Sequence, residues 1–378
     1  MKISLSRSRL LVVAVAIIGA GSLLAACGSS SKSAAKSCAV PALGGSAATP
    51  TSGAPASGSS VSADLLGSGS TFQQSFDQAV ISGFQTANPK ITINYGGGGS
   101  GKGKTDLQTK SVQFAGSDSL PKPEDLSKYQ GGQLLYFPTV AAPVTVSYKL
   151  SGICSLRLSG ATLAKIFATK ITKWNDAAIA ADNPGVTLPS TTITVAHRAE
   201  GSGTTSNFTK FLAAVDPTDW TLGSGDTVDW ASGTQAGTGN AGVAQIVQQT
   251  DGAIGYVDLA DSHAAKLTTA SIENSAGKFV APNLDSAAAA VASSTFKADL
   301  TYSPINAAGA ASYPITSPTY ILIYAKQTDH AKGTALKSFL SYVYSTGEGL
   351  ANQAGYAPIP PAVVQKAQAQ LTKIQIPA

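Results

Sequence analysis

The chain has 378 residues, of which 43% are apolar and 12% are charged, and its formal net charge is +5. This length is ample for a large hydrophobic core and favours more than one domain. The three histidines and three cysteines show no metal-ligand spacing, and no lysine and arginine cluster is interleaved with aromatic residues. We therefore expect no metal site, no cofactor and no nucleic-acid partner.

Residues 1–26 are predicted to be a lipoprotein signal peptide. Basic residues precede the apolar run 10–20, which is too short to span a membrane as a mature helix. Leu-Ala-Ala at 24–26 then leads to Cys27, as in a bacterial lipobox, where the cysteine is lipidated and becomes the mature N-terminus. A plain signal peptide with a chance cysteine is the alternative. We expect a protein anchored through Cys27 to the extracytoplasmic face of the cell membrane, with its net charge lowered from +5 to +2.

Residues 27–60 are predicted to be a flexible tether. They are mostly Ser, Ala, Gly, Thr and Pro, and bury too little apolar surface to fold. The Gly/Ser chain estimate gives the 33 residues after Cys27 a span of roughly 30 Å. The remaining cysteines, Cys38 and Cys154, are a disulfide candidate in an exported protein, and two unpaired thiols are the alternative.

In the globular body, three strand-like segments each lead through a Gly-, Ser- or Thr-rich turn into a helical pattern. The turns lie at 67–72, 96–105 and 198–206. Such a turn directs free backbone N–H groups outward, and the helix dipole favours negative charge there. An ordinary capped helix is the alternative at any one of these turns. Their repetition predicts an anion site.

The third turn carries the residues best suited to an oxyanion. Arg198 offers a fork of donors that matches a tetrahedral anion, and Glu200 can hold that fork in place. His197 faces the other side of the strand, so we expect it in the core. A separate strand, 112–118, ends in a carboxylate at Asp118. A cap or turn role is the alternative for Asp118.

Residues 98–105 also match G-x-x-x-x-G-K-[ST], the phosphate-cradling P-loop, and 253–258 can supply an apolar strand that ends in an Mg²⁺-binding Asp. A P-loop-like nucleotide hydrolase is therefore the alternative of a different class. The export signal argues against it, as does the loose glycine run, which composition alone can produce. No catalytic Ser-His-Asp constellation or close carboxylate pair follows from spacing, so we expect no enzyme.

From about residue 65 to 361, the chain resembles the PstS family, the phosphate-binding lipoproteins of bacterial ABC phosphate transporters. The motifs that carry the resemblance occur in family order, at 67–72, 94–101, 114–118, 137–139, 158–160, 174–175, 198–206 and 252–257. The resemblance implies an α/β, two-lobed periplasmic-binding-protein fold of type II. Each lobe is a mixed sheet flanked by helices, and two hinge crossings join the lobes.

The extended segments 136–148 and 313–324 suit these crossings. We accordingly expect lobe 1 to comprise 61–140 plus 313–378 and lobe 2 to comprise 141–312.

Phosphate is implied to bind between the lobes, and the permease subunits of an ABC transporter are implied to receive it. The implied phosphate contacts are Thr71, Phe72 through its backbone N–H, Ser100, Asp118, Arg198, Ser202, Gly203 and Thr204. The chain departs from the family pattern at Lys102 and Lys104 in the glycine run, and at Glu200, where the family usually has Asp. A receptor for sulfate, molybdate or phosphonate is the alternative within the binding class.

Overall fold

The computed structural model describes residues 38, 40, 42–45 and 61–378. The predicted signal peptide and Cys27 lie outside the described residues. The strands are β1 Ala63–Gly69, β2 Ile91–Gly96, β3 Phe114–Ser117, β4 Leu134–Tyr148, β5 Arg157–Leu158, β6 Thr194–Arg198, β7 Gln235–Gly237, β8 Ala253–Asp258, β9 Thr268–Thr269, β10 Ser271–Glu273, β11 Phe279–Val280, β12 Thr316–Tyr324 and β13 Ala357–Pro358.

The α-helices are α1 Gln74–Ala87, α2 Gly99–Gln108, α3 Gly160–Phe167, α4 Ala177–Asp182, α5 Gly203–Val215, α6 Gly239–Gln249, α7 Leu259–Ala264, α8 Leu284–Ala292, α9 His330–Ser345, α10 Ala351–Ala354 and α11 Pro361–Gln370. Short 3₁₀ helices occupy Pro123–Lys128, Gly347–Leu350 and Leu371–Lys373. Among the described residues, no helix is both long and apolar enough to cross a bilayer.

The main sheet is mixed, with the strand order β2-β1-β3-β12-β4-β8-β6-β7. β1 pairs in parallel with β2 and β3, and β6 pairs in parallel with β7 and β8. β4 and β12 run antiparallel to their neighbours in the middle of the order. At each end of the order, parallel strands therefore lead from their carboxyl ends into turns and helices.

The long strand β4 changes partner along its length. Its residues up to Pro143 pair with β12, and those from Val144 onward pair with β8. Every β4 residue except Tyr136 is buried, as expected for a strand covered on both faces. β4 thus belongs to both ends of the sheet, and it coincides with the extended segment predicted at 136–148.

The helices cover the sheet with apolar faces. Phe76, Val80 and Phe84 follow helical spacing along α1, and all three are buried. Phe84 packs edge-on against Phe339 of α9, with ring centroids 5.4 Å apart. At the other end of the sheet, Phe208 of α5 stacks on Tyr256 of β8, with centroids 4.4 Å apart. These contacts pack α1 against α9 and α5 against β8.

Part of the predicted tether is attached to the body. Cys38 forms a disulfide with Cys154. The carbonyl of Leu43 accepts a hydrogen bond from the Leu284 N–H at 2.9 Å, at the start of α8. The Gly45 N–H donates to the Asp285 carboxylate at 3.3 Å. A covalent bond and two hydrogen bonds thus connect Cys38, Leu43 and Gly45 to the body, and the disulfide is the one that the sequence offered as a candidate.

Candidate functional site

Arg198 ends β6 and is 3% exposed. Its Nε donates to Glu200 Oε1 at 2.9 Å, and its Nη2 forms an ion pair with the same oxygen. The Gly239 N–H, at the start of α6, donates to that oxygen as well, at 3.1 Å. Because Glu200 holds one side of the guanidinium, the other side is fixed, and Nη1 donates to Thr204 Oγ1 at 3.3 Å.

The N-terminus of α5 meets this guanidinium. Ser202 is the N-cap residue, and its Oγ accepts from the Thr205 N–H at 3.2 Å. The backbone N–H groups of Gly203 and Thr204 lie in the first helical turn, where no intrahelical acceptor exists. A Cβ on Gly203 would lie 2.5 Å from Ser100 Oγ and 2.8 Å from Asp118 Cβ, so only glycine lets these elements approach so closely.

Asp118 follows β3 and is 2% exposed. Its carboxylate accepts a hydrogen bond from Ser70 Oγ, and Oδ2 lies 3.4 Å from Ser100 Oγ and 3.5 Å from Thr204 Oγ1. Burial raises the pKa of Asp118 to about 7, and Asp226 adds to the rise, whereas the Ser70 hydrogen bond and the Arg198 charge oppose it. Asp118 therefore changes its charge near neutral pH.

Thr71 and Phe72 approach the same place from the turn after β1. The Phe72 N–H donates to Ser70 Oγ at 3.0 Å. Asn240, the second residue of α6, donates its backbone N–H to Thr71 Oγ1 at 3.3 Å. Turning the Asn240 amide over satisfies both of its ends, and its oxygen then accepts from the Phe72 N–H at 3.2 Å and from Arg198 Nη1 at 3.3 Å. Asn240 thus links the β1 turn to the arginine of β6.

The structure brings together every residue that the resemblance implies for phosphate. Thr71 is partly exposed, and the other seven are buried, namely Phe72, Ser100, Asp118, Arg198, Ser202, Gly203 and Thr204. These residues come from four separate turns, and the helices α2 and α5 bring their N-termini to the cluster. An oxyanion here would meet hydroxyl donors, first-turn amides and one guanidinium.

Sequence reasoning missed three polar residues of this cluster. Ser70 lies inside the turn predicted at 67–72 and Asn240 lies in a stretch that predicts a helix entry, but the sequence assigns neither residue a role in the site. Asn207 of α5 donates to the backbone oxygen of Asp118 at 2.8 Å and to Ser317 Oγ at 2.7 Å. The Gly-polar start of α6 was the available signal for Asn240. Asn207 gave none, because it lies in the middle of a helical pattern.

The P-loop motif takes a different shape from a phosphate cradle. Helix α2 already begins at Gly99, so most of the glycine run is helical rather than a loop. Lys104 pairs with Asp226, with 2.7 Å between Nζ and Oδ2, and Thr105 Oγ1 bonds to the Gly101 carbonyl. Asp258, at the end of β8, caps α7 through the Asp261 N–H at 2.9 Å. The residues of the nucleotide alternative therefore have separate structural uses.

Two further expectations concern histidine and metal. His197 is buried and stacks on Trp230, with ring centroids 4.7 Å apart, and burial lowers its pKa. This agrees with the expected core position. Within the described ranges, no group of His, Cys, Asp and Glu side chains is arranged to hold a metal ion.

Comparison with known proteins identifies the family to which this chain is similar. A sequence model described as PBP superfamily domain matches residues 49–346. The phosphate-binding protein PstS of Xylella fastidiosa strain 9a5c is 39% identical over 283 residues, which are 73% of this chain and 76% of that protein. The phosphate-binding protein PstS 3 of Mycobacterium leprae strain TN is 35% identical over 357 residues, 92% of this chain and 94% of that protein.

The fold is also similar to that of a high-affinity periplasmic phosphate-binding protein, PfluDING, solved with bound phosphate. The TM-score is 0.69 at 23% identity, and the match covers 82% of this chain and 94% of that one. The predicted class, a periplasmic-binding-protein fold of mixed sheet and flanking helices, is confirmed.

Proposed function

Because this chain belongs to the PBP superfamily and, within it, to the family of PstS phosphate-binding proteins, we propose that it captures inorganic phosphate and delivers it to an ABC transporter. The observation that carries the proposal is the convergence of Arg198, Asp118 and the N-terminus of α5 in one solvent-shielded cluster. The proposed ligands are those implied by the resemblance, and Asn240 is added as a contact that orients two of them.

Phosphate would be held largely by neutral dipoles. The amides of Gly203 and Thr204 and the hydroxyls of Thr71, Ser100, Ser202 and Thr204 can each donate to a phosphate oxygen. Arg198 supplies the single guanidinium, and its ion pair with Glu200 sets its direction. Many modest contacts that require one geometry suit a protein that must both hold an anion and release it.

Asp118 would select the anion by its protons. Phosphate near neutral pH carries at least one O–H, and an ionised Asp118 can accept it in a charge-assisted hydrogen bond. Sulfate carries no proton, so the same carboxylate would face only lone pairs. This contrast disfavours the sulfate alternative and predicts that arsenate, which carries the same proton, competes with phosphate.

We propose that two lobes close on the anion, with boundaries at 61–140 plus 313–378 and at 141–312. The partner change within β4 supports a crossing near residue 143, since one half of this strand pairs with β12 and the other with β8. Hinge closure then stabilises whichever arrangement the anion contacts best. The permease subunits of the transporter would be the partners that open it.

We further propose that Cys27 carries the lipid anchor that keeps the protein at the cell membrane. The support is the lipobox-like stretch that precedes it in the sequence. One acyl chain gives only marginal membrane binding, so the mature form should carry more than one. We propose a binding protein and no enzymatic activity, in keeping with the names of the relatives.

Calorimetry of the purified body with phosphate, arsenate, sulfate, molybdate and a phosphonate tests the ligand assignment. Phosphate should bind with the highest affinity, arsenate should displace it, and sulfate should bind at least tenfold more weakly, about 1.4 kcal/mol. ATP with Mg²⁺ serves as the arm for nucleotide hydrolysis and should give neither heat of binding nor product. Preference for another oxyanion, or ATP turnover, would refute the assignment.

A further inference from the structure

A second polar cluster lies beside the proposed phosphate site. It consists of Lys104 on α2, Ser119 after β3, and Asp226 in the loop after α5. Lys104 Nζ lies 2.7 Å from Asp226 Oδ2, and Ser119 Oγ donates to Asp226 Oδ1 at 2.7 Å. Lys104 also donates to Ser119 Oγ at 2.8 Å, which closes a ring of three hydrogen bonds. Both carboxylate oxygens of Asp226 therefore have a donor, Lys104 at Oδ2 and Ser119 at Oδ1.

The cluster joins the two ends of the main sheet. Helix α2 packs on β1 and β3, whereas α5 packs on α3 and β8. The charged partners are mostly shielded, because the side chains of Lys104 and Asp226 are 13% and 20% exposed. A backbone contact runs parallel to them, from the Gly101 N–H to the Gly201 carbonyl at 2.9 Å. If α2 and α5 separate, the contacts of Lys104 and Ser119 with Asp226 break together with the hydrogen bond between Gly101 and Gly201.

Each contact of Asp226 adjoins a proposed phosphate ligand. Its backbone oxygen accepts from the Ser202 N–H at 2.9 Å, which positions the N-cap of α5. Ser119 follows Asp118 directly, and Lys104 lies about one helical turn after Ser100. One residue thus connects the segments that supply Ser202, Asp118 and Ser100.

We propose that Lys104, Ser119 and Asp226 form a latch that holds α2 and α5 together over bound phosphate. This rests on the proposed function, and it assigns Lys104 and Asp226 as positioning residues for anion retention. The latch exists only when the two helices are together, so it should lower the rate of phosphate release. It should leave the rate of capture almost unchanged, because capture starts from the separated arrangement, in which the latch is absent.

The chain offers a matched control on the same helix. Lys102 pairs with Asp106 four residues further along α2, and its side chain is 52% exposed. Lys102→Met and Lys104→Met remove the same charge from one helix, but only Lys104→Met removes a contact between α2 and the loop after α5. Asp226→Asn tests the other partner while it keeps the size of the side chain and its backbone contact to Ser202.

Stopped-flow measurement of phosphate binding and release by the full chain gives the first readout. We expect Lys104→Met to raise the release rate about tenfold, which corresponds to about 1.4 kcal/mol. Asp226→Asn should raise it in the same direction, and the capture rates of both variants should stay within about twofold of wild type. Lys102→Met should match wild type. Equal release rates for Lys104→Met and Lys102→Met would overturn the proposal.

Amide hydrogen exchange at Gly101 gives a readout that needs no anion. Gly101 is in the first turn of α2, so its N–H has no intrahelical acceptor and its protection reports the bond to Gly201. Lys104→Met should speed this exchange, and Lys102→Met should not. If Lys104→Met lowered the unfolding temperature but left both Gly101 exchange and phosphate release unchanged, the Lys104–Asp226 ion pair would contribute to stability alone and the latch would be refuted. If wild type failed to bind phosphate, the proposed function would fall, and exchange at Gly101 would still decide the latch.

Discussion

Asp118→Asn is the sharpest single test of how the site chooses its anion. The substitution keeps the side-chain size and its ability to accept from Ser70 Oγ, but it removes the charge. The new amide can also turn an N–H toward an anion that has no proton to offer. We therefore expect weaker phosphate binding and stronger sulfate binding, so that the two affinities approach each other.

The magnitude follows from the contact that is lost. Hydrogen bonds to charged groups contribute about 1.5–3 kcal/mol, against about 0.5–1.5 kcal/mol for neutral ones. Because Asp118 is 2% exposed, little water screens this difference. The preference for phosphate over sulfate should narrow by at least about tenfold, or about 1.4 kcal/mol.

The pH dependence of the preference for phosphate over sulfate gives an independent test of the same role for Asp118. Burial raises the pKa of Asp118 from 3.8 to about 7, so the carboxylate is ionised above that value and protonated below it. Wild type should prefer phosphate strongly at about pH 8.5 and lose much of that preference at about pH 5.5, because a protonated Asp118 can donate to sulfate. In Asp118→Asn the preference should be small at both values.

Stability should respond with a definite sign. Between pH 3.8 and about 7 the folded protein keeps a proton on Asp118 that the unfolded chain releases. The contribution of Asp118 to the free energy of unfolding therefore falls as pH rises through this window, and Asp118→Asn should remove that slope. Burial raises the pKa of Asp77 to about 8, so part of the wild-type slope should remain in the variant.

Titration calorimetry of phosphate and sulfate against wild type and Asp118→Asn, at both pH values, tests whether Asp118 sets the preference between the two anions. Asp64→Asn, at an exposed position of β1, removes the same charge far from the carboxylate contacts and should behave as wild type. Sulfate binding by wild type as tight as phosphate binding at the higher pH would refute both the role of Asp118 and the phosphate assignment. An unchanged preference in Asp118→Asn would refute the role alone.

Arg198→Ala should weaken phosphate binding at least ~30-fold, because removing one partner of a desolvated charged contact costs about 2–5 kcal/mol; Arg157→Ala, at an exposed position, should leave calorimetric affinity unchanged. Replacing both Cys38 and Cys154 by Ser opens a loop with a sequence separation of 116, and should lower the free energy of unfolding in urea by about 2–4 kcal/mol; an unchanged urea midpoint would contradict this. Phosphate affinity should fall less than about tenfold between 0.05 and 1 M NaCl, because the site is shielded; a steeper loss would indicate binding by exposed lysines.

The three donor-rich turns could be predicted because they lie in local patterns, whereas the individual phosphate contacts are those that the family resemblance implies. A strand followed by a Gly- or Ser-rich turn and a helix defines where backbone amides point, and this holds for the turns at 67–72, 96–105 and 198–206 without knowledge of the fold. Glu200 could be paired with Arg198 because the two lie only two positions apart in the sequence. The extended segment at 136–148 likewise became β4, since an almost uninterrupted apolar run is typical of a strand buried on both faces.

The missed residues depend on contacts between distant parts of the chain. Asn240 reaches Thr71 across 169 positions, and Asp226 reaches Ser119 across 107. No spacing rule connects such pairs, because the sheet order places them together. Composition likewise describes a segment in isolation, so it does not predict the hydrogen bonds that Leu43 and Gly45 make with the start of α8.

The charges of the site explain why so many neutral contacts are needed. Arg198 is paired with Glu200, and Asp118 lies beyond Thr204, so one cation stands beside two carboxyl groups. With both carboxyl groups ionised, the trio carries no net positive charge to attract an anion. Binding must then come from amide and hydroxyl dipoles that point to one place, and these act only while α2, α5 and the β1 turn hold their positions. We therefore expect retention of phosphate to depend on contacts between those elements, such as those of Asn240 and the proposed latch, as much as on the groups proposed to touch the anion.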